Sequence, residues 1–461
     1  MPPRKSLPTR SRELALEVLE DVRRGSFAEH ALSDRLEKAG TLRDEDRGLA
    51  TELVYGVLRW RTRLERIIKQ CSKHPSDRIR PDLREILDIA LYQIFVLDRI
   101  PDHAAVDQAV IQARTRLGSR TAAFVNAILR RALRERATVD PLPGDDPVSL
   151  ADYYSHPIWL VKRWIKEFGP QRTRRILSEN NLKPPLMARV NRLKTTRERF
   201  ADLLQRNGVT ADLIPLLSDG VRIASMSGPV QALPGYKDGL FMVQDTAAQL
   251  IAPLLGVQKG DRVLDACAAP GGKTSHLAAL ARNWLRIVAI ESDPVRLEET
   301  RKNLDRLGVD AAELVHGDAS DPAFVKSLGE FDRVLLDPPC TNLGVLRRSP
   351  EARYRSRPSD PAVFAQIQLK MLNATAPVLK PGGMLLYSVC TVSEEETAGV
   401  VTQFLDTHQD FRLVPIRAGE VNASGLADEH GFFRTFPSPE IMLLDGFFAA
   451  RLQRWADRRK A

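Results

Sequence analysis

Asp265-Ala-Cys-Ala-Ala-Pro-Gly-Gly-Lys-Thr274 lies between an apolar run, Arg262–Asp265, and an amphipathic stretch near 273–282. A strand that ends in small residues and then opens a helix is the recurrent turn of an α/β fold, and backbone so free of side chains lets a ligand approach the helix N-terminus. The spacing nearly meets the phosphate-binding pattern G-x-x-x-x-G-K-[ST], but Cys267 stands where the first glycine must be, so that reading fails at its tight turn. The dinucleotide pattern G-x-G-x-x-G fails as well. So many small residues around a Pro-Gly-Gly exceed what a plain connection needs.

Further apolar runs lie beyond this turn at Arg286–Ile290, Glu313–Val315, Arg333–Leu336 and Met384–Ser388, with amphipathic stretches near 294–307, 321–328 and 361–379. Strand and helix in alternation predict a doubly wound, mostly parallel sheet over 246–457. Upstream the pattern changes twice. Residues 150–245 mix basic helices, at Trp159–Phe168, Gln171–Ser178 and about 195–206, with short strands at Met187–Val190, 212–214 and 221–223, a small α/β module. Residues 1–143 are all helical in pattern, with Leu14, Val18 and Val22 on one face and Leu49, Leu53 and Val57 on another. Pro141, Pro143, Gly144 and Pro147 mark the boundary between the helical part and the module.

The chain of 461 residues carries 68 basic and 59 acidic side chains, a net charge of +9, and 43% hydrophobic residues. The excess is uneven. Residues 161–200 alone hold 12 basic and 3 acidic side chains, as expected of a part that holds an anionic polymer while another part treats it. No run approaches the 18 or so apolar residues of a membrane helix, and the basic, Pro-containing Met1–Arg10 lacks the apolar run of a secretory signal. Four cysteines, Cys71, Cys267, Cys340 and Cys390, form no C-x-x-C pair. That excludes a disulfide scaffold or a zinc knuckle and fits a reducing cytoplasm; neither metal nor membrane is expected. Nothing in the pattern marks an association stripe, so a monomer is expected.

The strand ends carry the chemistry. An acid after the second strand, Glu291, is where doubly wound folds bind a ribose hydroxyl pair, and Gly317-Asp318 ends the third strand on the same rim. Asp293, before Pro294, reads as a helix cap. The fourth strand ends in Leu335-Leu336-Asp337-Pro-Pro-Cys340 and the fifth in Tyr387-Ser-Val-Cys-Thr391. Ser393 with Glu396 reads as a capping box for the next helix. A lone cysteine after a strand is ordinarily a small buried hydrophobe, but two of four on one rim point to use. Residue types alone do not decide which of them attacks.

These segments resemble the RNA cytosine-5 methyltransferase family, which uses S-adenosyl-L-methionine in a Rossmann-like fold. The similarity runs through Asp265–Thr274, Asp337–Cys340, Val389–Thr391 and Asp445-Gly-Phe-Phe448, and into Arg189-Val-Asn191, Lys194, Gln244-Asp245 and Gln249. Leu53–Arg59 and Phe124–Arg130 resemble the NusB-like helical RNA-binding domain. The combination is similar to the bacterial members that act on 16S, small-subunit ribosomal RNA.

The resemblance implies that Cys267, Ala268, Ala269, Pro270, Gly271, Gly272 and Lys273 hold the methionine part of the cofactor, Glu291 the ribose and Asp318 the adenine edge. It makes Cys390 the nucleophile and Cys340 the helper in product release, with Asp337 between cofactor and base. The family usually has aspartate at the position of Glu291, which is one methylene longer. A thiolate added to cytosine C6 makes C5 nucleophilic, which is why the chemistry wants a thiol. A buried Asp337 with a raised pKa would donate to N3; Lys273 would either lower a nearby thiol's pKa or cap the loop.

RNA contacts fall to Arg189, Asn191, Arg192 and Lys194, although Arg189 and Asn191 serve equally as braces between modules; Tyr354 and Arg347 are further candidates for stacking and phosphate contact. Competing readings are cytosine-5 methylation of transfer RNA and a non-catalytic RNA-binding or antitermination factor, against which both thiols argue.

Overall fold

The computed structural model describes residues 9–40, 42–72, 79–224, 228–417, 419–420, 425–437 and 444–455; the basic opening Met1–Pro8 lies outside them. The chain forms two compact units, Met1–Leu182 with Leu346–Arg355, and Lys183–Val345 with Ser356–Ala461.

The first unit is helical. Arg10–Arg23, Ala28–Lys38, Asp44–Cys71, Pro81–Phe95, Asp102–Leu117 and Ser119–Arg134 surround one core. Leu14, Val18, Leu53 and Val57 are buried in it, as their i, i+4 spacing predicts. The longest helix opens with Asp44, Glu45 and Asp46, acids placed where the helix dipole favours negative charge. The expected domain boundary begins at Asp140, which is not loose: Arg63 and Arg66 donate to its carboxylate at 2.5 and 2.7 Å. Asp146 then caps Pro147–Tyr154 through Val148 N and Ser149 N. Ile158–Glu179 is two helices about Gly169 (φ 77°) and Pro170, which match the expected pair. Of the elements expected together over 150–245, the helices up to Glu179 fall in this unit and helix Arg197–Arg206 with the strands in the other.

Leu346–Arg355 completes this unit although the chain reaches it only after most of the second. Arg353 is fully buried. Its guanidinium donates to the carbonyls of Arg59 and Ser155, each at 3.1 Å, to Asn181 Oδ1 at 2.9 Å and to the Asn180 carbonyl at 3.2 Å. Burial lowers its pKa to about 10.

The second unit holds two sheets. The smaller one contains β1 (Leu186–Val190), β2 (Ala211–Leu213), β3 (Gly220–Ile223) and β4 (Phe241–Val243), antiparallel in the order β2-β3-β1-β4, with helix Arg197–Arg206 packed on it. The larger contains β5 (Arg262–Asp265), β6 (Arg286–Glu291), β7 (Ala312–His316), β8 (Phe331–Leu336), β9 (Leu379–Val389), β10 (Phe411–Leu413), β11 (Phe433–Arg434) and β12 (Phe448–Arg454). Its order is β10-β12-β9-β8-β5-β6-β7, with β11 pairing β12. β5 to β9 run parallel, whereas β12 is antiparallel to β9 and β10. Successive residues feed opposite faces: Val263, Leu335 and Leu386 enter one core, while Leu264, Leu336 and Leu385 enter another. Both faces are thus covered, and each leucine so buried contributes roughly 1.5–3 kcal/mol. Chain order reverses between β5 and β8, the switch point at which open sheets bind ligands.

Candidate active site

Four carboxylates stand at the carboxyl ends of β5, β6, β7 and β8. Asp265 ends β5 and is fully buried. Thr274 Oγ1 donates to its Oδ2 at 2.7 Å, while Oδ1 has no partner among the described residues. Burial pushes the Asp265 pKa up to about 6, Thr274 opposing and Asp337 adding to it. The loop beyond it turns on Gly271 (φ 93°), where an added Cβ would lie 3.3 Å from Leu304 and 3.4 Å from Thr300. Helix Gly272–Leu280 starts there.

Glu291 is 6% exposed and accepts from Asp293 N at 3.0 Å; Asp293 itself caps helix Pro294–Leu307, as expected. Asp318 is exposed and accepts from Ser320 N and Oγ at 2.8 and 2.9 Å. A small-residue loop, an unpartnered carboxylate oxygen and two rim acids fit a ligand with an amino-acid part and a ribose.

Asp337 joins this cradle to the thiols. Lys273 Nζ pairs with its Oδ2, and Ser388 Oγ donates to its Oδ1 at 2.9 Å. Burial alone would lower the Lys273 pKa, but Asp337, Cys390 and Asp265 carry it above the ordinary value. Lys273 is therefore an ammonium, ion-paired with Asp337.

Cys340 and Cys390 lie just past β8 and β9, with their sulfurs 3.3 Å apart. Cys340 is buried and Cys390 half-buried. The hydrogen bond with Cys390, then burial, raises the Cys340 pKa well above the usual thiol range. Cys340 is thus held as a thiol donor beside a more accessible sulfur, an asymmetry the residue types did not reveal.

The capping box at Ser393 does not form. Ser393 makes no side-chain cap, and the chain continues into a single 3-10 turn, Glu394–Glu396. Glu396 is recruited over a long range instead. Its buried carboxylate accepts from Thr341 Oγ1, from Thr341 N at 2.9 Å, from Thr391 Oγ1 at 3.1 Å and from Gln368 Nε2 at 3.1 Å. One side chain so ties the residue after Cys340 to the residue after Cys390. Burial raises its pKa, and those hydrogen bonds oppose the rise.

Comparison with known proteins gives the family. The family model described as 16S rRNA methyltransferase RsmB/F matches residues 252–453, the NusB family model 9–134, and an RsmF/B-like ferredoxin-like domain model 156–231. The "Probable ribosomal RNA small subunit methyltransferase B" of Synechocystis sp. is 34% identical over 445 residues, covering 96% of this chain and 99% of that protein. The chain belongs to the RsmB/F methyltransferase family. The "Ribosomal RNA small subunit methyltransferase B" of Pseudomonas putida is 37% identical, over 90% of this chain and 92% of that one. The crystal structure of PH0851 superposes with a TM-score of 0.81 at 25% identity, over 97% of this chain and 99% of that one. In RsmB/F terms, the first unit contains the NusB-like domain, and β1 to β3 of the small antiparallel sheet lie in the ferredoxin-like match.

The structure separates the residues expected at RNA. Arg189 is 2% exposed; its guanidinium donates to Gln244 Oε1 and Ser275 Oγ, each at 2.6 Å, and to the Gly272 carbonyl. Asn191 is buried and donates to the carbonyls of Gly239 and Leu307 at 2.9 and 2.7 Å. These two brace the small sheet against helix Gly272–Leu280 and helix Pro294–Leu307. Lys194 is exposed and donates to the Asp238 and Arg306 carbonyls at 2.8 and 2.7 Å, while Arg192 is exposed and paired with Asp219. Arg347 is fully buried, and the Tyr354 hydroxyl donates to the Ser155 carbonyl at 3.2 Å, so neither presents its polar group to a phosphate.

Proposed function

We propose that this protein methylates C5 of a cytosine in 16S ribosomal RNA through a covalent adduct between Cys390 and C6. The observation that carries the reading is the pair of sulfurs 3.3 Å apart at the ends of adjacent parallel strands, beside the cofactor-type loop. A methyl transfer to a good nucleophile needs no thiol; cytosine C5 is a poor one and needs to be activated.

S-adenosyl-L-methionine would supply the methyl group as a sulfonium electrophile. Cys267 to Lys273 would hold its methionine part, Glu291 the ribose hydroxyls and Asp318 the adenine edge, each an oxygen acceptor or a bare backbone. The Cys390 thiolate adds to C6, forming a C–S bond while the C5–C6 π pair moves onto C5. C5 takes the methyl group and loses its proton to water, and the returning pair expels Cys390. Covalent catalysis divides one hard step into easier ones.

Cys340, kept protonated in the resting site, donates to the departing sulfur. A proton passed from the Lys273 ammonium through the Asp337 carboxylate to N3 of the base would relieve the negative charge that addition places on the ring. The cytosine must come from a loop or be flipped out, costing a few kcal/mol; Arg192, Lys194 and the basic helices of 158–179 are assigned to the flanking phosphates.

The test is transfer from labelled S-adenosyl-L-methionine to unmodified 16S transcript, with 30S precursors and transfer RNA in parallel. Labelled 5-methylcytosine from the wild type, none from Cys390→Ala and a trapped RNA–protein adduct with Cys340→Ala are expected. Full transfer by Cys390→Ala sinks the covalent route. Binding of RNA without transfer to any substrate favours a non-catalytic factor.

A further inference from the structure

Asn342 lies two residues beyond Cys340 with φ 58°, a left-handed backbone that among the described non-glycine residues is shared only by Ser155, Arg282 and Asn283. Asparagine is one of the few residues that adopt it readily. Its side-chain amide lies against both sulfurs: Oδ1 is 2.9 Å from Cys390 Sγ and 3.6 Å from Cys340 Sγ. With the sulfurs 3.3 Å apart, the three atoms make a triangle that has the reacting sulfur at one corner. The loop around it is pinned independently. Thr341 is held by Glu396, and Gly344 N donates to the Cys390 carbonyl at 3.1 Å.

We propose that Asn342 is a positioning residue that stabilises the Cys390 sulfur in both of its protonation states, its amide oxygen accepting from the thiol and, after a half-turn, its amide N–H donating to the thiolate. This deepens the proposed reaction and rests on Cys390 being its nucleophile. A primary amide carries an acceptor and a donor end of nearly equal size, and its terminal torsion has two broad, roughly equivalent wells. A sulfur that cycles between thiol, thiolate and thioether needs a neighbour able to reverse its polarity.

The charged and titratable groups nearby cannot do this. The Lys273 ammonium interacts with Cys390 from the cofactor helix, and Asp337 faces the same region from the end of β8, already bound to Lys273 and Ser388. Cys340 offers only the weak hydrogen bonding of a thiol, and Glu396 lies behind it, engaged by Thr341, Thr391 and Gln368. Beside Cys340, Asn342 is the neutral side chain that contacts the sulfur directly, and it alone of the two carries a strong donor and a strong acceptor.

The measurement is the rate of Cys390 alkylation by iodoacetamide, read by peptide mass spectrometry between pH 6 and 9.5. The full-length protein is used without RNA or cofactor, as wild type, Asn342→Gly and Asn342→Ala. Glycine keeps the left-handed turn and removes only the side chain; alanine gives a second folded variant should glycine loosen the loop. Both hydrogen bonds are lost, but the one to the charged sulfur is the stronger, so the rate profile should move to higher pH by about one unit, with alkylation at pH 7 slower by about tenfold. A profile that superposes on the wild type in either folded variant overturns the proposal. Because RNA is absent, this outcome is independent of the reading of Cys390 as nucleophile. That reading fails separately, and takes this role of Asn342 with it, if Cys390→Ala still transfers methyl groups.

Discussion

Asp265 shows how much a single position carries. Its carboxylate is sealed under the loop that opens helix Gly272–Leu280, and its pKa of about 6 lies above the ordinary 3.8. A carboxylate whose folded pKa is raised binds more protons folded than unfolded between those values, so stability falls as pH rises through about 4 to 6. The shift of about two units corresponds to about 3 kcal/mol. Asp265→Asn, neutral throughout, should therefore gain about 3 kcal/mol on the wild type from pH 4 to pH 7, as read by urea denaturation at each pH. A constant difference would show that the charge is offset elsewhere.

Asp265 was legible because it ends an apolar run before a helix. Glu396 was not: its spacing from Ser393 satisfies a local rule, and only the fold brings Thr341, some fifty residues upstream, within reach. Arg189 was legible as important but open in role, since a buried brace and a phosphate ligand have the same letter.

At the level of strands and loops, the cysteine loops are stitched at one crossing. An added Cβ on Gly344 would lie 2.0 Å from the Gly446 carbonyl oxygen, and Gly446 N donates to the Gly344 carbonyl at 2.8 Å. No rotamer relieves a clash with backbone, so Gly344→Ala must move the Cys340 loop or the chain entering β12. The expected result is a loss of methyl transfer of at least about a hundredfold, as a misplacement of about 1 Å costs, with near-native circular dichroism. Activity within a factor of two would mean that the crossing yields freely.

The parallel strands β5 to β9 were read from their apolar runs within a residue or two, except that β9 begins earlier, at Leu379. The antiparallel end, β10 to β12, was not, because Phe411–Leu413 and Phe433–Arg434 are too short to show a period and become strands only by pairing with β12.

Over the whole molecule, charge and connectivity matter most. With a net charge of +9, RNA binding should weaken as salt rises, the log–log slope being roughly −3 for four phosphate contacts to single strands. Filter binding between 50 and 200 mM salt measures it; a flat line would remove the basic helices from the interface. Arg353→Ala should destabilise the first unit by about 3 kcal/mol or more, because several buried acceptors lose their donor together, a change visible in denaturant unfolding. A loss below about 1 kcal/mol, within the ordinary range for a surface substitution, would make the network dispensable. The helical unit was legible from its i, i+4 spacing, but its last ten residues were not: they are read after Cys340, inside what looks like an insertion of the sheet domain.

That placement bears on how the protein can be taken apart. A fragment ending at Leu182 omits Leu346–Arg355 and with it the buried Arg353 side chain that binds the Arg59, Ser155 and Asn180 carbonyls. No single cut of the chain releases either unit whole. Replacing the helical unit by a relative's would therefore mean replacing two separate stretches of chain, the second of them only ten residues long.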